Sequence, residues 1–230
     1  MLVALGVEAE GYQHVPGLRE GSRENATVVK DLLTDIVSRG RDAQRRRLFV
    51  IDGSKALRRA IDEVFGTANP LPRCRNHKIR KVLDDLPKDR HDPIRCAMKA
   101  AFQRPADQGI AKWKKLSEWL MPEDPSAVES LREGLEERFT INRLELPSQW
   151  RRCLASTHII EFPNAGIRPK TGRVTRGRDG PMVLRWTASS LVSLEKRRRR
   201  ILGHQQLWIL EAKLQDQNQQ QNVARKIKTA

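Results

Sequence analysis

The 230-residue chain carries 44 Lys+Arg against 28 Asp+Glu, a formal net charge of +16. No run approaches eighteen consecutive apolar residues, which argues against a transmembrane helix or a membrane partner. Cys74, Cys96 and Cys153 are too few and too scattered for a disulfide framework, so a reducing, cytoplasmic setting is expected. With 38% hydrophobic and 31% charged residues, the chain is long enough to bury a core beneath a strongly solvated surface. The charge predicts a polyanionic partner, most simply nucleic acid.

In chain order, Leu2–Val7 and His14–Leu18 read as two short strands around the turn Ala9-Glu10-Gly11. Glu8 and Glu10 close the first apolar run at once, and no basic stretch precedes it, unlike a secretory leader. Val28, Val29, Leu32, Leu33, Ile36 and Val37 recur at helical spacing, with Asn25 as cap and Gly40 as terminator. A basic loop leads to Leu48-Phe49-Val50-Ile51, a buried-type strand that delivers Asp52 at its C-terminal end. Ser54 can cap the next helix, whose apolar face is Leu57, Ile61, Val64 and Phe65. This order predicts an α/β core with a mixed sheet.

From Cys74-Arg75-Asn76-His77 onward the texture is helical. Residues 88–152 form a Pro-punctuated, Ala- and Leu-rich block that predicts an all-helical insertion, with Trp113, Trp119 and Trp150 in its core. The charge concentrates late, with eleven Lys/Arg against two acidic residues between Ala165 and Gly203. A helix is expected from Pro181 to Leu202, ending in Lys196–Arg200, where the helix dipole favours cations. Residues 215–230, Gln/Asn-rich from Gln215 to Gln221, are expected to be a disordered tail. The implied organisation is a first part of the core over 1–87, the insertion over 88–152, the rest of the core over 153–214, and the tail.

Three features carry chemical interest: Asp52, the pair Cys74 and His77, and Glu161 within an apolar patch. Each has a bland reading. Asp-Gly after a strand is a common turn device, one Cys-x-x-His is no closed zinc site, and a lone Glu needs only a partner.

In order and with their flanks, these segments resemble bacterial mutator-type insertion-sequence transposases. The resemblance rests on Leu5–Gly11 with Leu18–Asn25, on Val50–Lys55, on Arg73–Leu83 with its Cys-x-x-His, and on Arg178-Asp179-Gly180 before a helix ending Glu195-Lys196-Arg197. It covers nearly everything but the tail. It implies an RNase H-like core of the DDE class, interrupted by a helical insertion and acting on transposon-end and target DNA in the bacterial cytoplasm. The family's three carboxylates hold two Mg²⁺ ions for strand cleavage and transfer, and Asp52 and Glu161 match its second and third. The first Asp lies on a strand before the one that opens here, so the expectation is an N-terminally truncated, inactive copy with an impaired metal site.

Departures near the last acid point the same way. His158 and Phe162 replace the family's Asn and Ser, and Pro163 and Pro169 interrupt the helix expected to carry Glu161. Arg168, Lys170, Arg173, Arg176 and Arg178 are the expected phosphate contacts, against the alternative of a merely solvated face. Cys74 and His77 are expected to bridge insertion and core near the acids, with metal ligation the lesser alternative. A homodimer is what the resemblance implies for an intact relative, which must pair two DNA ends, and the oligomeric state of this chain stays open. The competing function is a non-catalytic DNA-binding or dimerising fragment that interferes with an intact transposase.

Overall fold

The computed structural model describes residues 1–21, 24–157, 159, 166–167, 180–195 and 200–216. The chain divides into two compact units. Unit 1 comprises Met1–Leu48, Ser54–Asn69 and His158–Ala230; unit 2 comprises Phe49–Gly53 and Pro70–Thr157. Among the described residues, no helix is long and apolar enough to cross a membrane.

Unit 1 begins with an antiparallel hairpin of β1 (Leu2–Val7) and β2 (Gln13–Arg19). Its turn is closed by Gly11 N–H donating to Glu8 O at 2.9 Å, where the sequence placed it. Pairing runs from Leu2 opposite Arg19 to Ala4 opposite Gly17, then resumes at Gly6 opposite His14. The extra residue on β2 is a bulge at Val15-Pro16, a position where a proline's missing N–H costs no ladder bond. The Val15 N–H instead donates to Glu195 Oε1 at 3.1 Å.

The hairpin packs through Leu2 on Val29, Leu32 and Ile36 of α1 (Ala26–Ser38) and Ala60 of α2 (Lys55–Phe65). Both expected caps form. Asn25 Oδ1 accepts from Thr27 N and Val28 N at 3.0 and 3.3 Å, and Ser54 Oγ accepts from Leu57 N at 3.4 Å. Lys30 and Glu63 pair at 2.8 Å between the two helices.

Later in unit 1, residues Gly180–Glu195 form a helix, and residues 207–216 are helical as well. The expected helix to Leu202 therefore overruns. Residues 200–203 are not helical, because Ile201 N–H donates to Gly11 O at 3.0 Å and Gly203 turns the chain at φ 77°. Gln215 and Asp216 of the expected disordered tail belong to the helical residues, and 217–230 lie outside the described ones.

In unit 2 the segment expected as a strand at 48–51 pairs in parallel with residues 70–74. Phe49 N donates to Pro70 O at 3.1 Å, Ile51 N to Pro72 O at 3.2 Å and Cys74 N to Ile51 O at 2.7 Å. The parallel ladder would also need a donor from residue 72, and Pro72 has none. The pairing accordingly stays a single bridge, Ile51 to Arg73, and the described residues hold two separate pairings instead of one continuous mixed sheet.

Helices follow: α3 (Arg75–Asp84), α4 (His91–Phe102), α5 (Ala106–Leu120), α6 (Pro125–Arg132), α7 (Leu135–Arg138), α8 (Thr140–Arg143) and α9 (Ser148–Leu154). Pro105 and Pro147 sit at N-caps and Pro125 in the first turn of α6, where no intrahelical N–H is lost. Their core is built on Ile79, Val82, Met98, Phe102, Trp113, Leu131 and Phe139. Phe102 lies 4.8 Å from Trp113 and 5.2 Å from Phe139 between ring centroids. The Trp113 indole donates to Leu131 O at 3.0 Å, which satisfies the one polar atom it buries. Trp113 and Trp150 are core as expected, but Trp119 is 63% exposed. The buried stripe of α5 runs through Ala106, Ile110, Trp113, Ser117 and Leu120, and position 119 falls beside it.

Candidate nucleic-acid interface

The pairing of 49–51 with 70–74 does two local jobs in unit 2. It ends the extended segment at Ile51, so Asp52 follows the paired residue directly, and it launches α3 from Cys74. Asp52 and Gly53 then line a cavity of about 290 Å³ together with His77 and residues of α3, the loop after α6, and α7. Five cations line it, Arg73, Lys78, Arg80, Lys81 and Arg138, against three carboxylates, Asp52, Asp84 and Glu133. Positions 77, 78, 81 and 84 share one face of α3 by helical spacing.

Glu133 is the hub. Lys81 Nζ lies 3.0 Å from its Oε2, Lys78 Nζ 3.2 Å from the same atom, and Arg73 Nη1 3.8 Å from Oε1. Arg73 also pairs with Glu137. Gly134 makes this possible: its φ is +60°, and a Cβ there would sit 2.8 Å from Arg73 Nη1. Arg138 donates from Nη2 to Glu133 O at 2.8 Å, a backbone acceptor that brings no negative charge.

The electrostatics follow from burial. The Lys78 side chain is 1% exposed. Desolvation first, and the neighbouring Arg138 second, push its ammonium down to about 8, more than Glu133 raises it. Burial and then Arg73 bring Arg138 down to about 10. Hydrogen bonding by Lys81, with the charge of Lys78, holds Glu133 at about 2. The cavity is therefore a set of crowded cations sharing too few carboxylates.

Cys74 and His77 have a different part. Cys74 Sγ is fully buried and accepts from Thr157 N and Thr157 Oγ1, both at 3.4 Å, while His77 Nδ1 lies 3.3 Å from the same hydroxyl. The motif thus ties the start of α3 to Thr157, four residues before Glu161. With Sγ engaged in this way, the Cys-x-x-His serves as a clamp within unit 2. Arg75 N–H donates to Ala155 O at 2.9 Å and reinforces it.

Asp52 and His77 line one cavity, with Cys74 at the base of α3. Glu161, Arg168, Lys170, Arg173, Arg176 and Arg178 lie outside the described residues. Sequence reasoning passed over Arg73, Lys78, Arg80, Lys81, Glu133 and Arg138 as site residues. The basic run at 73–81 was a visible signal; nothing local marks Glu133 and Arg138. As for Mg²⁺, no three His, Cys, Asp or Glu residues are grouped to hold a metal ion among the described residues. The cavity beside Asp52 also holds more cations than carboxylates, so these residues alone do not fit a divalent ion.

Asp52 thus stands at the end of a bridged segment, beside a cation-lined hollow. The family described as Transposase, Mutator family matches residues 1–179. The transposase for insertion sequence element IS6120 of Mycolicibacterium smegmatis is 31% identical over 178 residues, covering 77% of this chain and 53% of that protein. The transposase for ISRM5 of Rhizobium meliloti is 29% identical over 175 residues, 74% of this chain and 42% of that protein. The transposase for IST2 of Acidithiobacillus ferrooxidans is 26% identical over 177 residues, 75% and 57% respectively. The chain belongs to the mutator family of transposases. It spans about half the length of the curated relatives it matches.

Proposed function

We propose that this chain is catalytic-core sequence of a mutator-family transposase of the DDE class, with an RNase H-like arrangement, that binds DNA through its phosphates. Asp52 and Glu161 are its contribution to the acids that hold Mg²⁺ for strand cleavage and transfer in an intact transposase. The observation that carries the reading is the position of Asp52, at the end of a parallel-paired segment and on the rim of a cation-lined cavity. The RNase H-like arrangement enters this reading from the family resemblance. A bacterial cytoplasm is the setting this reading takes for the chain.

The donor set favours a second reading for these 230 residues on their own. The cavity beside Asp52 is lined by five cations against three carboxylates, a lining suited to phosphate oxygens more than to a divalent ion, so in this reading the chain binds DNA without cutting it. It then competes with intact transposase, by occupying DNA or by dimerising with it.

The test uses the 230-residue chain with duplex DNA bearing transposon ends. It binds, with affinity falling steeply as salt rises, because phosphate contacts release counterions. It does not nick the DNA with Mg²⁺ or Mn²⁺. Absence of binding at low salt would refute the DNA-binding reading. Nicking that is lost in Asp52→Asn or Glu161→Gln would overturn the non-catalytic one and leave the acids assigned.

A further inference from the structure

Resting on the DNA-binding reading above, we infer that the hollow between α3 and the Glu133–Arg138 segment is a phosphate cradle for duplex DNA, with Arg80 and Lys81 as its reachable contacts and Arg73, Lys78 and Arg138 as its buried floor. These residues belong to unit 2 and come from a stretch of sequence separate from the basic segment at 168–178.

Three observations lead there. The first is charge balance. Arg73, Lys78 and Lys81 converge on Glu133, with Glu137 adding a second carboxylate for Arg73. Arg80 forms no ion pair among the described residues, and Arg138 hydrogen-bonds the Glu133 backbone carbonyl and feels its carboxylate only as one nearby charge. An anion entering the hollow meets cations that the protein itself leaves under-neutralised.

The second is burial. Lys78 and Arg138 are both buried, and they stand close enough for Arg138 to depress the Lys78 ammonium and for Arg73 to depress Arg138. Crowded, desolvated cations are costly to hold together. A phosphate between them relieves that repulsion, and Arg and Lys are the residues that recognise phosphate oxygens.

The third is access. Arg80 and Lys81 are exposed on α3, whereas the floor is not. The site is therefore open on one side and already ordered on the other, so little side-chain freedom is lost on binding. Asp52 shares the rim. The cradle would hold a phosphate next to the carboxylate that the family resemblance assigns to cleavage.

The experiment measures binding of the 230-residue chain to a fluorescent duplex by anisotropy at several salt concentrations. Arg80→Gln with Lys81→Gln removes two exposed cations and should flatten the log–log salt slope by about 2, so that the wild type loses roughly tenfold more affinity than this variant between about 50 and 200 mM salt. Asp84→Asn, which removes a negative charge from the same wall, should tighten binding several-fold. Lys112→Gln with Lys114→Gln, the same charge change on exposed positions of α5 away from the cavity, is the control and should leave the slope closer to wild type. Emission from the buried tryptophans verifies that each variant is folded.

If the wild type binds but neither Arg80/Lys81 nor Asp84 substitution alters affinity or slope, the cradle is wrong and the DNA-binding reading stands. An equal or larger effect of the α5 control also overturns the cradle, since bulk charge would then explain everything. A wild-type chain that ignores duplex DNA at low salt refutes both.

Discussion

Substituting Glu133 by Gln tests whether one carboxylate holds the cation cluster together. Glu133 accepts from Lys81 and Lys78 and faces Arg73, and the two lysines, Lys81 first, hold it at about 2 against an ordinary 4.5. A shift of that size corresponds to at most about 3 kcal/mol. The Glu133 side chain is 35% exposed, and solvent screening brings its own contribution to about 1–2 kcal/mol. The larger loss falls on Lys78, whose ammonium would stay buried beside Arg138 without its neutralising partner. Removing one member of a buried pair costs about 3–5 kcal/mol when both are enclosed; with one member half-open, a total of about 2–3 kcal/mol is expected. Unit 2 has its own reporter, because the two buried tryptophans, Trp113 and Trp150, both belong to it while Trp186 and Trp208 are exposed. Urea unfolding followed by tryptophan emission should give that loss for Glu133→Gln. Adding Lys78→Met, which replaces the stranded charge by an apolar chain of similar length, should recover at least half of it. A loss below about 0.5 kcal/mol, or no recovery in the double variant, would show that the cluster is screened by water and that the hub argument is wrong.

Two further outcomes follow from the same chemistry. Because Lys78 is held at about 8 in the folded chain against an ordinary 10.5, the unfolded chain binds more protons between those values, so stability rises with pH across that window. Comparing wild type with Lys78→Met at pH 7.5 and pH 10 should expose this slope, on the order of 2–3 kcal/mol, in the wild type alone; parallel profiles would refute the assignment. The cysteines should separate kinetically toward a maleimide, with Cys96 modified first, Cys153 slowly because burial pushes its thiol up, and Cys74 only on unfolding. Peptide mapping by mass spectrometry reads the order, and early labelling of Cys74 would contradict the Thr157 clamp.

What was legible beforehand was mostly local. The Glu8–Gly11 turn and the Asn25 and Ser54 caps depend on residues within a few positions of one another, and each formed where the pattern put it. Asp52 could be placed at the end of an extended segment because an apolar run preceding Asp-Gly is a local signal. Its pairing partner was not legible, since nothing local marks Pro70 and Pro72, whose carbonyls accept from Phe49 and Ile51. Trp119 misled because aromatic residues in a helical block default to core, and one step around α5 decides otherwise. At the site, Cys74 and His77 stood out by spacing, but Thr157 is eighty positions from His77 and had no mark of its own. Glu133 and Arg138 were invisible for the same reason, since a helical turn and a left-handed glycine bring them to α3 only in three dimensions.

The bond from Val15 N to Glu195 has a temporal meaning during synthesis. With Ile201 N on Gly11 O and Arg45 paired to Glu211, it fastens the opening of unit 1 to residues made about 165 to 190 positions later. Nearly all of unit 2 is encoded between them. On a ribosome, the helical unit can close its core while the hairpin's bulge still waits for its acceptor, and long-range closures of this kind are the slow ones. The hairpin's last contacts are therefore completed only after the segment carrying the cation cluster has emerged.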